Sequence, residues 1–199
     1  MLNKKLFDEL LTSYKNYTKF RDQIIVDSRD ILRNSKQAIF ALHRDELAEA
    51  AKILKDTENK ILDLEKLFKK EQKLKDEGAY KEGLEEYIEA QMFYEFLKNG
   101  KIDFKSEVTA TFNDLIGGIC DFTGEIVRKA IQAVTKGNND KISEYQEAVQ
   151  MVVGELVKFD LLGKHRGKYD QAKRNLRKIE EVSYDLKIRE SRVKIDKIY

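Results

Sequence analysis

The chain has 199 residues and no proline, with ten glycines and 37% charged residues; about 5% proline is usual, and proline breaks helix interiors, so long helices joined by short turns are expected. A hydrophobic share of 41% argues against disorder, and one cysteine, Cys120, excludes an internal disulfide or a cysteine-based zinc site. The formal net charge is only +2, but residues 158–199 hold 13 Lys or Arg against 7 Asp or Glu.

Met1 to Phe20 mixes Lys, Asp, Glu and Tyr through its apolar positions, so it does not read as a secretory signal. No uncharged run of about 18 residues occurs, so no membrane partner and a cytoplasmic location are expected. The first helix is predicted over 3–43. Two adjacent heptad columns run along it: Leu10, Tyr17, Ile24, Ile31, Ala38, and Leu11, Thr18, Ile25, Leu32, Ile39. Together they make a wide core-facing stripe. A second helix is predicted over 45–76 and a third over 78–98, stopped by Asn99-Gly100. A fourth follows over 107–136, with Gly137 to Asp140 supplying a stop and an N-cap. A fifth spans 140–162. Gly163 and Gly167 bracket the next turn, and a sixth helix runs over 167–190 with a weakly periodic tail. No strand-like alternation interrupts the series. The fold class is all-α: one domain over 1–199 of six to seven helices with a long first member.

Charge is unevenly spread along these helices. Glu82, Glu85, Glu86, Glu89 and Glu95 occur in a stretch of the third helix without Lys or Arg. Glu86 and Glu89 are spaced i,i+3, and Asp121 and Glu125 on the fourth helix i,i+4, so each pair shares a helix face. Asp114 lies one heptad before Asp121. The face carrying Glu86 and Glu89 continues into Phe93 and Phe96, so these acids aim at protein as well as water. Gly118 and Gly124 are small enough for close helix approach. Four carboxylates on two facing helices offer hard oxygen donors for Mg²⁺ or Mn²⁺. An ion held so can activate water and neutralise a leaving phosphate oxygen. A wet acidic face remains the other reading. His43 reads as a helix-end structural residue, His165 as a surface one, and Cys120 as buried. In the densest basic stretch, Lys164, Arg166, Lys168, Lys173, Arg174, Arg177 and Lys178 meet only Asp170. That strip suits nucleic-acid phosphates or a solvated face. No Gly-rich phosphate loop accompanies it.

Four separated blocks resemble the translin/Trax family, most closely its Trax (translin-associated factor X) branch. Gly83-Leu84-Glu85-Glu86-Tyr87-Ile88-Glu89-Ala90 is similar to that branch's Gly-Leu-Gln-Glu-Tyr-Val-Glu-Ala, with Glu85 in place of Gln. Leu115 to Glu125 is similar to Leu-Leu-Gly-Val-Ala-Asp-Leu-Thr-Gly-Glu. Ser28 to Ile31 and Ser35 to Arg44 resemble Arg-Asp-Ile and Ile-Phe-Leu-Leu-His-Arg, and Lys168 to Arg189 resembles the shared final helix. The resemblance implies an antiparallel helical superhelix, a subunit of hollow octamers that binds single-stranded RNA, with single-stranded DNA or duplex RNA as further ligands. It also implies Mg²⁺- or Mn²⁺-dependent endoribonuclease activity. The family's catalytic and metal-binding acids fall on Glu86, Glu89, Asp121 and Glu125. Lys36, Arg44, Lys168, Lys173, Arg174 and Arg177 are the expected nucleic-acid contacts, and a homo-oligomer is expected. Two alternatives stay open: a non-catalytic single-stranded RNA- or DNA-binding protein, and an all-α nucleotide pyrophosphatase. The latter shares Glu85-Glu86-x-x-Glu89 but pairs it with Glu-x-x-Asp, where this chain has Asp121-x-x-x-Glu125.

Overall fold

The computed structural model describes residues 2–196, with side chains described through Ser191. The architecture is all-α, with no strand among the described residues. None of the described helices is long and apolar enough to cross a membrane.

Helix α1 (Lys4–His43) starts at Asn3, whose side chain accepts a hydrogen bond from the Leu6 N–H at 3.3 Å. Its 40 residues extend about 60 Å, whereas α2 (Leu47–Phe68) and α3 (Gly78–Asn99), with 22 residues each, extend about 33 Å. Both pack against α1. The apolar columns are therefore buried only where a partner reaches them. Ile24, Ile31 and Ala38 are fully buried, but Leu10 and Leu11 are half exposed. An ion pair from Arg21 Nη2 to Glu77 Oε1, 3.0 Å long, lies near the edge of the covered part.

The second helix ends at Phe68 instead of running to residue 76. At 100° per residue, Leu74 would point well away from the buried side that carries Ile61, Leu64 and Phe68. The chain instead breaks, and a short 3-10 turn over Gln72–Asp76 buries Leu74. The Asn99-Gly100 stop is as expected: Gly100 takes φ +64°, and its N–H donates to the Phe96 carbonyl at 2.8 Å.

Residues 101–111 are not helical, although the sequence predicts helix from 107. Side chains from α2 hold this segment. The Glu58 carboxylate accepts from the Ser106 hydroxyl at 2.7 Å and the Glu107 N–H at 3.0 Å. Glu65 accepts from the Thr109 N–H at 2.8 Å. Helix α4 (Phe112–Thr135) then begins at a reciprocal cap between Thr111 and Asp114. Gly137, at φ +81°, turns the chain after α4. Asp140 does not cap the next helix; it sits in a 3-10 turn before α5 (Ile142–Leu156). That helix stops six residues short of the expected end, which leaves Phe159 outside it and half exposed. Gly163, at φ +55°, makes the turn alone, so α6 (Gly163–Asp196) contains Gly167 within it. The weakly periodic tail is helical through Asp196; its side chains after Ser191 lie outside the described residues.

Helix α3 packs on α1, α2 and α4, and α4 packs on α5 and α6. Tyr87, Ile88, Phe93, Phe122 and Ile126 fill the region between them. Each such burial is worth about 1.5–3 kcal/mol. The acids of α3 and α4 are thus set beside each other, with α1 and α6 alongside.

Candidate metal centre

The contact between α3 and α4 depends on Gly117 and Gly118. A Cβ on Gly118 would lie 2.5 Å from Ile88 Cγ2, and one on Gly117 would lie 2.7 Å from Glu85 Cδ. Gly124 plays no such part: a Cβ there would meet only Asn175 Nδ2, at an ordinary 3.5 Å.

Glu89 is the innermost of the four acids, 8% exposed. Burial, followed by the charges of Glu86, Asp121 and Glu125, pushes its carboxyl up to about 9. Glu86 is also raised, chiefly by burial, with Asp121, Glu125 and Glu82 adding to it and Lys36 opposing it. The four carboxylates therefore share one electrostatic neighbourhood. Three have a cationic partner. Glu86 lies 4.0 Å from Lys36 Nζ of α1. Asp121 accepts a short hydrogen bond from Lys168 Nζ of α6. Glu125 meets His43 Nε2 of α1 in another short contact, with Arg128 Nη1 3.6 Å away. Glu89 has no ion pair or hydrogen-bonded cation among the described residues.

Among the described residues, no three His, Cys, Asp or Glu side chains converge as a metal-ligand group. Asp121 is held towards Lys168 and Glu125 towards His43, so neither leans on Glu89. The donor set itself fits a hard divalent ion: all its atoms are carboxylate oxygens, and a buried carboxylate among three others is unfavourable without a cation.

The neighbouring acids have other roles. Asp114 accepts from the Thr111 N–H at 2.9 Å and from Lys81 Nζ at 3.1 Å, so it caps α4 and is not a fifth donor. Burial alone would raise Glu85, but hydrogen bonds from Lys164 Nζ, 2.5 Å, and Lys168 Nζ, 2.8 Å, hold it below the usual carboxylate range. Burial pushes the Cys120 thiol up to about 12, which makes it inert.

His43 ends α1 as a structural residue should, tilted against Phe93 with ring centroids 5.1 Å apart. Lys129 Nζ ties down the Leu42 and His43 carbonyls at 2.8 and 3.2 Å. The contact from His43 to Glu125 had no signal in local spacing, because the two residues are 82 positions apart. Of the expected nucleic-acid residues, Lys168 is inside the carboxylate centre and Lys36 at its edge. Lys173 pairs with Asp170 at 2.6 Å, Arg174 donates to Gln171 at 2.7 Å, and Arg44 pairs with Glu46 at 2.6 Å. Arg177 is exposed. His165 Nε2 lies 3.1 Å from Asn113 Oδ1 at the surface.

Known proteins share this arrangement of helices. The apo-NeC3PO crystal structure superposes with a TM-score of 0.82 at 25% identity, covering 91% of this chain and 96% of that one. AfC3PO gives 0.84 at 18% identity over 92% and 97%, and its complex with duplex RNA gives 0.79 at 18% identity over 92% and 96%. The Translin-associated protein X homolog of Schizosaccharomyces pombe is 30% identical over 74% of this chain and 70% of its own length. Translin-associated protein X of Pongo abelii is 28% identical over 86% of this chain and 74% of its own. The sequence pattern of the Translin family matches residues 19–190. The chain belongs to the Translin family.

Proposed function

We propose that this chain binds RNA and hydrolyses its phosphodiester bonds, as an endoribonuclease subunit of a translin-like homo-oligomeric shell. Glu86, Glu89, Asp121 and Glu125 would hold Mg²⁺ or Mn²⁺. The observation that carries this reading is Glu89: a carboxylate 8% exposed, pressed by three others, with no cation of its own. Single-stranded RNA is the favoured substrate, with duplex RNA and single-stranded DNA as further ligands. The likeness to a C3PO bound to duplex RNA, and to Translin-associated protein X, supports RNA as the partner class.

The ion would lower the pKa of a bound water and neutralise charge on the phosphate. Hydrolysis joins the water oxygen to phosphorus and breaks the bond to the leaving sugar oxygen. One of the four carboxylates takes the water's proton, and the leaving oxygen takes a proton from solvent. Exposed cations of α6 hold the RNA backbone, as phosphate contacts position without reading sequence.

The ion pairs of Asp121 and Glu125 favour a second reading. Lys168 and Arg128 set a positive charge against two of the acids from within the chain, as a non-catalytic RNA-binding protein would need. Labelled single- and double-stranded RNA, incubated with Mg²⁺, Mn²⁺ or EDTA, decides between the two. Cleavage that requires the ion and vanishes in a Glu86, Glu89, Asp121, Glu125 quadruple variant supports the nuclease. Binding without ion-dependent cleavage supports the second reading.

A further inference from the structure

Lys168 has two carboxylate partners with different freedom. Glu85 is fixed: its side chain is 10% exposed, it also accepts from Lys164 Nζ at 2.5 Å, and it packs where Gly117 lacks a Cβ. Asp121 is the looser partner, with its side chain 35% exposed and Lys168 as its one ion-pair partner among the described residues. Lys168 itself is 21% exposed, against 61% for Lys164 on the same helix. Its ammonium is therefore inside the centre and not on the solvated strip.

We propose, on the metal-centre reading above, that Lys168 is a resident cation of the carboxylate centre and a further catalytic residue of the reaction. It neutralises Asp121 until a divalent ion takes that oxygen. It then stays tied to Glu85 and donates to a non-bridging oxygen of the RNA phosphate.

The charges favour an exchange of this kind. Lys168 holds Asp121 by Oδ2, and a divalent ion that took this oxygen would displace the ammonium, because the ion carries twice the charge. A lysine with Asp121 as its sole partner would be released to solvent when the ion binds. Glu85 prevents that, because its position is set by helix packing and its charge is unaffected by the ion. An ammonium kept on Glu85, beside Asp121, would face the negative charge that develops on a phosphate bound at these acids. Preorganised donors at such positions stabilise the transition state more than the ground state. The other cations paired with these acids are Lys36 beside Glu86, Arg128 beside Glu125 and Lys164 on Glu85. None of these has a hydrogen bond to Asp121, so none duplicates Lys168.

The roles of placeholder and phosphate donor predict effects of opposite sign from one substitution. In the full-length protein, Lys168→Met should tighten Mn²⁺ binding, measured calorimetrically without RNA, by about tenfold. The same variant should slow single-turnover cleavage at saturating Mn²⁺ by about a hundredfold. Lys168→Arg should restore both towards wild type, and Glu85→Gln should slow cleavage while Mn²⁺ still binds. Weaker or unchanged Mn²⁺ binding in a helical Lys168→Met protein overturns the proposal. A wild-type measurement covers the case in which that variant does not fold. With ¹³C-labelled lysine, the Lys168 Cε resonance, assigned by its loss in Lys168→Arg, should move as Mg²⁺ is added. Mg²⁺ binding that leaves this resonance unmoved overturns the proposal while sparing the metal centre. Wild-type protein that binds neither Mg²⁺ nor Mn²⁺ removes the metal centre and the proposal together.

Discussion

Glu58 and Glu89 are equally exposed, at 8% each, and their chemistry diverges. Burial alone would raise both. Around Glu58, Lys55, the Ser106 hydroxyl and the Glu107 N–H overcome burial and hold the carboxyl below its usual range. Around Glu89, three further carboxylates add to burial and drive it up to about 9. The first acid is surrounded by donors because its task is to hold residues 101–111 against α2. The second lacks them, as a group shaped for an external cation would. Equal exposure therefore does not fix the state of an acid in this molecule: Glu89 lies deeper beneath its neighbours than Glu58 and lacks the donors that Glu58 has.

The sharpest way to break this contrast is to remove one acid of the centre. Glu125→Ala should reduce ion-dependent RNA cleavage by at least about a thousandfold, since a lost metal ligand forfeits several kcal/mol of transition-state stabilisation. RNA binding in EDTA should persist, which a gel-shift titration checks. Parallel loss of binding would mean that Glu125 supports structure and not chemistry. A smaller pair of effects should have opposite signs. Glu58→Ala leaves the Ser106 and Glu107 donors without their acceptor and should destabilise the protein by about 2 kcal/mol. Glu89 keeps its proton in the folded, metal-free protein at pH 8 and loses it on unfolding, so Glu89→Gln should remove that pull towards the unfolded state and stabilise the metal-free protein by about 2 kcal/mol. Urea denaturation of both variants in EDTA tests the pair, and two changes of the same sign would dissolve the distinction.

The pH profile extends the same contrast. The raised Glu89 carboxyl means that, between its ordinary value of 4.5 and about 9, the folded state binds more protons than the unfolded state. Its stabilising contribution is thus fully present below pH 4.5 and is lost as pH rises through about 9. Glu58, whose carboxyl is lowered, works in the opposite sense: its contribution is present above its ordinary range and is lost on acidification. Metal-free protein should therefore lose stability from pH 6 to 9, and Glu89→Gln should flatten that slope. Saturating Mg²⁺ at about a hundredfold over its Kd should add about 2.7 kcal/mol. Equal slopes for wild type and Glu89→Gln would show that Glu89 is not the group responsible.

Local patterns made the helices and the four acids legible in the sequence. The i,i+3 and i,i+4 spacings, the turn from acids into Phe93 and Phe96, and the Asn99-Gly100 stop all act within a few residues. What escaped that reading depends on partners far along the chain. Residues 107–111 read as the start of a helix, but Glu58 and Glu65 hold this segment from more than 40 positions away. Leu10 and Leu11 repeat like core residues and stay exposed because α2 and α3 are shorter than α1. Lys168 belonged to a basic strip by composition, and only the packing of α6 against α4, which lets Lys168 reach Glu85 of α3, separates it from its neighbours. His43 was visible as a helix end; its contact with Glu125 was not.

The smallest expected effect distinguishes Lys168 from the rest of that strip. Arg177 is exposed and has no ion pair among the described residues, so its charge is available to a phosphate without displacing a carboxylate. Arg177→Ala should weaken RNA binding a few-fold at low salt and reduce the slope of log affinity against log salt by about 1. Lys168 begins from a different state, because its ammonium is already paired with Glu85 and Asp121. In EDTA, Lys168→Met should therefore leave the salt slope of RNA binding nearly unchanged. Electrophoretic or fluorescence titrations at several salt concentrations compare the two variants directly. Equal losses of slope would place Lys168 on the open phosphate-binding surface and remove the difference in role between these two α6 cations.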